Sequence, residues 1–267
     1  MQAELIVQPS YWIYREISMQ KVRNLYLFKN ILPNNLYIMN IQLVPFQQNE
    51  SWGYRDETGK TVIIPQFNYA HEFSENLAAI KIGEKWGYID NEGTVKIQFR
   101  YDSAGKFSSG VARVRVGNKY GYINNTGRML IQPQFEWGGS FFEGLIPVVI
   151  GKKVGYIDLS ENVIINPEFD KALSFSQGLA AIKINNKWGY IDRTGRLLGN
   201  LEFDEAAQFC EGLARVKIDN KWGYVNQKGQ IVIQCQFDEA ADFSEGIAQV
   251  VNFNEIQHID KMGDVLW

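Results

Sequence analysis

A Trp-Gly step or a close substitute returns at a fixed interval of 34 residues: Trp52-Gly53, Trp86-Gly87, Tyr120-Gly121, Val154-Gly155, Trp188-Gly189 and Trp222-Gly223, with an eroded seventh copy at Ile256-Gln257. A sustained period in this range marks one supersecondary unit stacked repeatedly on itself. The 267 residues therefore do not read as the one or two globular domains that length alone suggests. They read as a quasi-linear array whose stability is a sum of unit and neighbour terms. The array is expected over residues 43–267 as seven units, with residues 1–42 as an irregular extension in which Tyr11, Trp12, Tyr14, Leu25, Tyr26 and Phe28 cap the first unit.

Within one unit three short strands can be traced. Ala78 to Ile82 is the first, and its counterpart Ala112-Arg113-Val114-Arg115-Val116 alternates as a strand with one buried face does. Trp86 to Asp90 is the second and Thr94 to Gln98 the third. Gly83-Glu84, Asn185-Asn186 and Asp219-Asn220 supply the positive φ of two-residue hairpin turns. Asp90-Asn91-Glu92-Gly93 and Asp192-Arg193-Thr194-Gly195 join the second strand to the third, Asp accepting backbone hydrogen bonds and Gly taking the left-handed position. Copy four carries Glu161 in the glycine place, so strain of about 1 kcal/mol or a different turn is expected there.

A connector follows the third strand, seen best as Gln236-Phe237-Asp238-Glu239-Ala240-Ala241-Asp242-Phe243-Ser244-Glu245-Gly246. It reads as an extended entry, then a bend or one helical turn, with its two phenylalanines filling the gap between neighbours. The fold class is thus all-β: a tandem array of antiparallel three-stranded meanders in an open twisted hairpin stack, the alternative being a closed seven-bladed β-propeller.

The Lys85-Trp86-Gly87-Tyr88-Ile89-Asp90 stretch, the Gly three residues beyond the Asp, and junctions such as Phe243-Ser244-Glu245-Gly246-Ile247-Ala248 resemble the WG, or KWG, repeat family. The resemblance runs through residues 43–267. It implies a mostly bacterial type of repeat protein that works as a binding or interaction array, and it supplies no catalytic residues. The pattern is also similar in style to the shorter Gly-Trp repeats of cell-wall-binding hairpin stacks.

Composition narrows the function classes. With 27 basic and 30 acidic side chains the net charge is −3, which gives no field for a nucleic-acid backbone. No apolar run reaches the roughly 18 to 20 residues of a membrane span. The N-terminal residues make a poor signal peptide, Glu4 standing where a basic region belongs, so a cytoplasmic location is expected. Cys210 and Cys235 fill places that hold serine or proline in other copies and do not make a disulfide framework. Two histidines, His71 and His258, lie at unrelated repeat positions, and no nucleophile-base pattern accompanies them, so no enzyme and no cofactor is expected. Asp56, Asp90, Asp158, Asp192 and Asp260 could suggest a calcium ladder, but turn chemistry accounts for them and Asn124 and Asn226 substitute freely; no metal is expected.

The tryptophan places also hold Tyr120, Val154 and Ile256, so a core role is favoured over sugar stacking, and truncating Trp86 is expected to cost about 3 to 5 kcal/mol. The glycine after each Trp is read as making room for a neighbour's aromatic ring. Function is sought where copies disagree. The third copy has Trp137 where others have Lys171, Glu205 and Glu239, Phe142 where others have serine or Cys210, and Val149 in the place of Lys81, Arg115, Lys183 and Lys217. Trp137, Phe142 and Val149 are the candidate binding residues, because an apolar cluster replacing polar groups marks a contact site. The expected role is a scaffold for a protein partner; binding of cell-envelope carbohydrate is the alternative.

Overall fold

A computed structural model of the chain describes residues 42–267. The expected cap residues, Tyr11 to Phe28, lie outside the described residues. Gln42–Trp267 forms one compact unit, the second of the two into which the chain divides. The second unit is all-β, seven small antiparallel sheets following one another along the chain.

The second sheet shows the pattern: Tyr69–Ala70, Ala78–Ile82, Lys85–Ile89 and Val95–Tyr101 pair in that order. The meander expected from sequence is present, but it gains a strand. The connector is neither bent into a helical turn nor free, because its backbone bonds along the first long strand: Asn68 N–H donates to Lys81 O at 2.9 Å and His71 N–H to Ala79 O at 2.9 Å. The same short strand recurs at Ser103–Ala104, Lys171–Ala172, Glu205–Ala206 and Glu239–Ala240, and shrinks in the fourth sheet to a bridge between Gly138 and Val148. Each connector thereby belongs to the sheet that follows it. Trp137, read as part of copy three, joins the fourth sheet.

Successive side chains on a strand point to opposite faces, and here both faces are covered. Tyr54, Ile63 and Phe67 of the first sheet meet Ala78, Ile80 and Ile89 of the second in one buried cluster. Ala79, Tyr88, Ile97 and Tyr101 leave the other face of the second sheet to meet Ala112, Val114 and Ile123 of the third. The first and second long strands are therefore buried on both faces at consecutive positions, which selects the small Ala78-Ala79 pair, while the third strand stays largely exposed. The connector phenylalanines fill these junctions as expected: Phe175 lies 4.9 Å from Tyr156 and Phe243 4.8 Å from Tyr224, ring centre to ring centre.

The repeated Trp-Gly-Tyr has a different division of labour from the expected one. The tyrosine is the buried plug, and Tyr54, Tyr88, Tyr122, Tyr156, Tyr190 and Tyr224 are fully enclosed. Each phenol donates to a backbone oxygen of the next sheet's connector, Tyr88 to Gly105 O at 2.7 Å and Tyr122 to Gly139 O at 2.7 Å. Burial pushes these phenols well above their ordinary pKa. The tryptophans Trp52, Trp86, Trp188 and Trp222 are half-buried at the margin of the clusters, so the full truncation cost belongs to the tyrosine.

The glycine between them is not opposite a neighbour's ring. Trp86 pairs with Tyr101 and Tyr88 with Ile97, so the third strand bulges over Gly87. A Cβ on Gly87 would stand 2.6 Å from Ile97 O, and one on Gly121 2.6 Å from Ile131 O. The close approach comes from the backbone of the same sheet.

Turn chemistry follows the sequence reading. Asn185 and Asn186 have φ of 48° and 68°. The Asp192 carboxylate accepts from Thr194 N at 2.9 Å and Arg196 N at 3.1 Å, with Gly195 at φ 84°. Glu161 keeps that turn geometry at φ 65° and so carries the strain rather than avoiding it.

Candidate functional site

The Ser-Glu-Gly turns at the connector ends stack into a ladder from sheet to sheet. Gly110 N donates to Glu75 Oε2 at 2.9 Å, Gly178 N to Glu143 Oε2 at 2.9 Å and Gly246 N to Glu211 Oε2 at 2.9 Å. Ser74 Oγ reaches Phe107 O at 2.6 Å and Ser176 Oγ reaches Phe209 O at 2.7 Å. These bonds fix each turn against the next.

A cleft of about 500 Å³ opens along this ladder, where the connectors leading to the second, third and fourth sheets come together. Phe107, Phe142, Lys106 and Arg113 line it, together with Ser74, Ser108 and Ser140. Phe142 is 39% exposed. Arg113 is held from two sides, donating to Gly138 O and lying over the Tyr120 ring at 5.0 Å. Lys106 pairs with Glu72 at 2.6 Å. The cleft thus joins two aromatic walls to two cations and several hydroxyls.

Trp137 and Val149 are brought together, and Phe142 is not with them. Val149 N donates to Trp137 O at 3.0 Å, and Val149 pairs in turn with Val154. In the sixth sheet the matching row is Glu205, Lys217 and Trp222, with Lys217 bonded to Glu205 at 3.1 Å and 5.3 Å from the Trp222 ring. The fourth sheet has exchanged a charged row for an apolar one. Val149 is half-buried against the cluster of Val154 and Phe169, while Trp137 is 37% exposed. Phe142 pairs with Leu145 at the opposite end of the strand, four residues or about 13 Å from Val149.

Sequence reasoning missed a second aromatic group at the first and second sheets. Tyr69 lies 5.2 Å from Trp52, 5.6 Å from Trp86 and 5.3 Å from His71, and His71 stacks on Trp86 at 5.0 Å and 23°. Burial lowers the His71 pKa, the Lys106 charge adds to this, and Glu72 opposes it. The available signal was that residues 52, 69 and 86 are evenly spaced, each aromatic.

Cys210 and Cys235 are free thiols, and burial raises the pKa of both, which keeps them protonated and weakly nucleophilic. Among the described residues no three His, Cys, Asp or Glu groups converge to hold a metal ion, and no helix is long and apolar enough to cross a membrane.

Solved structures similar in fold include a eukaryotic initiation factor, at 13% identity and a TM-score of 0.60 over 85% of this chain and 73% of that one. Kluyveromyces lactis Hsv2 with loop 6CD replaced by a Gly-Ser linker matches at 11% identity and 0.51, over 82% and 89% of the two chains. The dihydro-heme d1 dehydrogenase NirN in complex with DHE matches at 10% and 0.52, over 89% and 66%. At these identities the likeness is one of fold alone. No curated protein matches the chain in sequence. The repeat model described as "WG containing repeat" matches residues 52–86, 86–120, 120–153, 155–188, 188–222 and 222–252 in tandem. With the Trp-Gly-Tyr step, the bulged third strand and the stacked connectors all repeating in phase, the chain belongs to the WG-repeat family.

Proposed function

We propose that the array is a non-catalytic scaffold that holds a protein partner at the connector ladder, with Phe142 as the anchor. The observation that carries this reading is the cleft of about 500 Å³ in which Phe142 stands beside Phe107 and Arg113. Binding energy at protein interfaces concentrates in aromatic and arginine side chains set in pockets. The serine of other copies satisfies the fold at this place, as Ser74 and Ser176 do by bonding to the next connector. A phenylalanine there adds apolar surface that the turn does not need. Trp137 offers a second exposed ring farther along the same connector, and Val149 supports it from the core side. The two free thiols accord with a reducing, cytoplasmic setting.

Selection of displayed random peptides on the immobilised protein tests the reading. Enriched peptides should bind wild type and lose about tenfold or more in affinity with Phe142→Ser, at an unchanged melting temperature. Peptides that bind Phe142→Ser as well as wild type, or failure to enrich any, would overturn the cleft as a protein site.

A further inference from the structure

Residues 52, 69, 86, 103, 120 and 137 follow at intervals of 17, alternating between the second strand of one sheet and the short connector strand of the next. Five of the six are aromatic: Trp52, Tyr69, Trp86, Tyr120 and Trp137. Beyond them the series continues as Val154, Lys171, Trp188, Glu205, Trp222, Glu239 and Ile256, so every connector place in the later sheets is charged. Among the described residues, rings of this series meet at the first and second sheets, where Tyr69 lies against Trp52 and Trp86 with its ring tilted 43° and 58° to theirs, and His71 stacks on Trp86.

The fold does not require the rings of Tyr69 and His71. Ser103, Lys171, Glu205 and Glu239 occupy the register of Tyr69, each pairing with the first long strand of its sheet as Tyr69 pairs with Lys81. Gly105 and Ala207 occupy the place of His71 and make the same backbone bond, at 2.9 and 3.0 Å. Yet Tyr69 is 43% exposed, a large ring left in solvent where other copies place a polar group.

We propose that Trp52, Tyr69, His71 and Trp86 form a stacking platform for the pyranose rings of an oligosaccharide, adjoining the connector cleft at Lys106 but sharing none of its aromatic residues. A pyranose presents an apolar C–H face bounded by hydroxyls, and an aromatic surface bordered by hydrogen-bonding groups complements both parts. The border is present: Lys81 pairs in register with both Tyr69 and Trp86, Glu84 lies 3.7 Å from its amine, and Glu72 and Lys106 flank His71. A neutral imidazole adds one donor and one acceptor at the edge of the platform. A protein anchor would instead sit in an enclosing pocket ringed by nearly neutral contacts, and these rings span the edges of two sheets.

Tryptophan fluorescence and calorimetric titration with cellohexaose, chitohexaose and an oligogalacturonate provide the test. At least one should bind saturably at micromolar to millimolar concentration. Tyr69→Ser and His71→Ala, which install residue types that other copies tolerate, should each weaken it about tenfold with unchanged melting temperature. Phe142→Ser should leave the titration as it is. Absence of saturable binding by all three sugars, or wild-type affinity in both platform variants, would overturn the proposal. So would a peptide selected on the platform that Tyr69→Ser releases while no sugar competes with it.

Discussion

Glu161 shows at the scale of one residue how strongly the repeat geometry constrains its members. Its φ of 65° lies in the left-handed region that Gly59, Gly93, Gly127 and Gly195 fill without a Cβ in the same turn. The turn holds its shape because the Asp158 carboxylate accepts from Ser160 N at 2.8 Å and Asn162 N at 2.9 Å, while Glu161 N donates to Asp158 O at 3.1 Å. Those bonds offset a conformational cost that is roughly 1 to 2 kcal/mol for a residue with a Cβ. Glu161 gives back only an exposed hydrogen bond from Gln134 Nε2. Glu161→Gly should therefore raise stability by about 0.5 to 1 kcal/mol, after the greater unfolded-state freedom of glycine is subtracted. Chemical denaturation of the variant, alongside the reciprocal Gly195→Glu, measures this; a loss of stability in Glu161→Gly would show that the turn is unstrained.

Between elements, the tyrosine of one sheet and the connector of the next form the recurrent joint. The Tyr122 hydroxyl lies 2.7 Å from Gly139 O, and a Cβ on Gly138 would come within 2.3 Å of it, so connector and phenol are fitted to one another. Tyr122→Phe keeps the ring in its cluster but leaves a buried carbonyl without its donor, which should cost about 1 to 2 kcal/mol. Thermal or urea denaturation reads the effect; a neutral result would show that water replaces the phenol. This joint was not legible in the sequence, because donor and acceptor are 17 residues apart and the acceptor is backbone with no residue signature. The Asp-x-x-Gly turns were legible, since their bonds run between residues two and four apart, as from Thr194 N and Arg196 N to Asp192. The bulge over Gly87 escaped for the same reason as the joint: what excludes a Cβ is Ile97 O. Trp137 and Val149 could be found because they depart from the other copies. Their separation from Phe142 could not, because closeness in sequence does not tell which end of a strand a residue occupies.

Within the described array one electrostatic staple is repeated at four of the six junctions between neighbouring sheets, Asn68 and Glu136 standing in the aspartate's place at the other two, and it makes acid the condition under which the molecule should lose stability. Asp102 accepts from Lys85 Nζ of the preceding sheet at 2.6 Å and from Gly117 N of its own hairpin turn at 2.6 Å. Asp170 joins Lys153 and Asn185 N, Asp204 joins Lys187 and Asp219 N, and Asp238 joins Lys221 and Phe253 N in the same manner. The lysine hydrogen bond, followed by the backbone donor, holds each of these carboxyls below the ordinary aspartate range. Side-chain hydrogen bonds from Thr58, Asn162 and Thr194 do the same for Asp56, Asp158 and Asp192 in the turns. A carboxyl whose folded pKa is depressed favours the native state at every pH above its unfolded value of about 3.9, and loses that contribution as pH falls through the folded value. The groups are exposed, so each contributes little and salt screens it, but the same group recurs along the array and all titrate in one window. Stability should be flat with respect to these groups from neutral pH down to about pH 5, then fall steeply below about pH 4. Melting temperatures followed from pH 7 to pH 2 at low ionic strength would show the drop. Replacing Asp102, Asp170, Asp204 and Asp238 together by Asn should lower the neutral-pH melting temperature and flatten the acid limb; an unchanged slope would mean that the staples do not hold the sheets together.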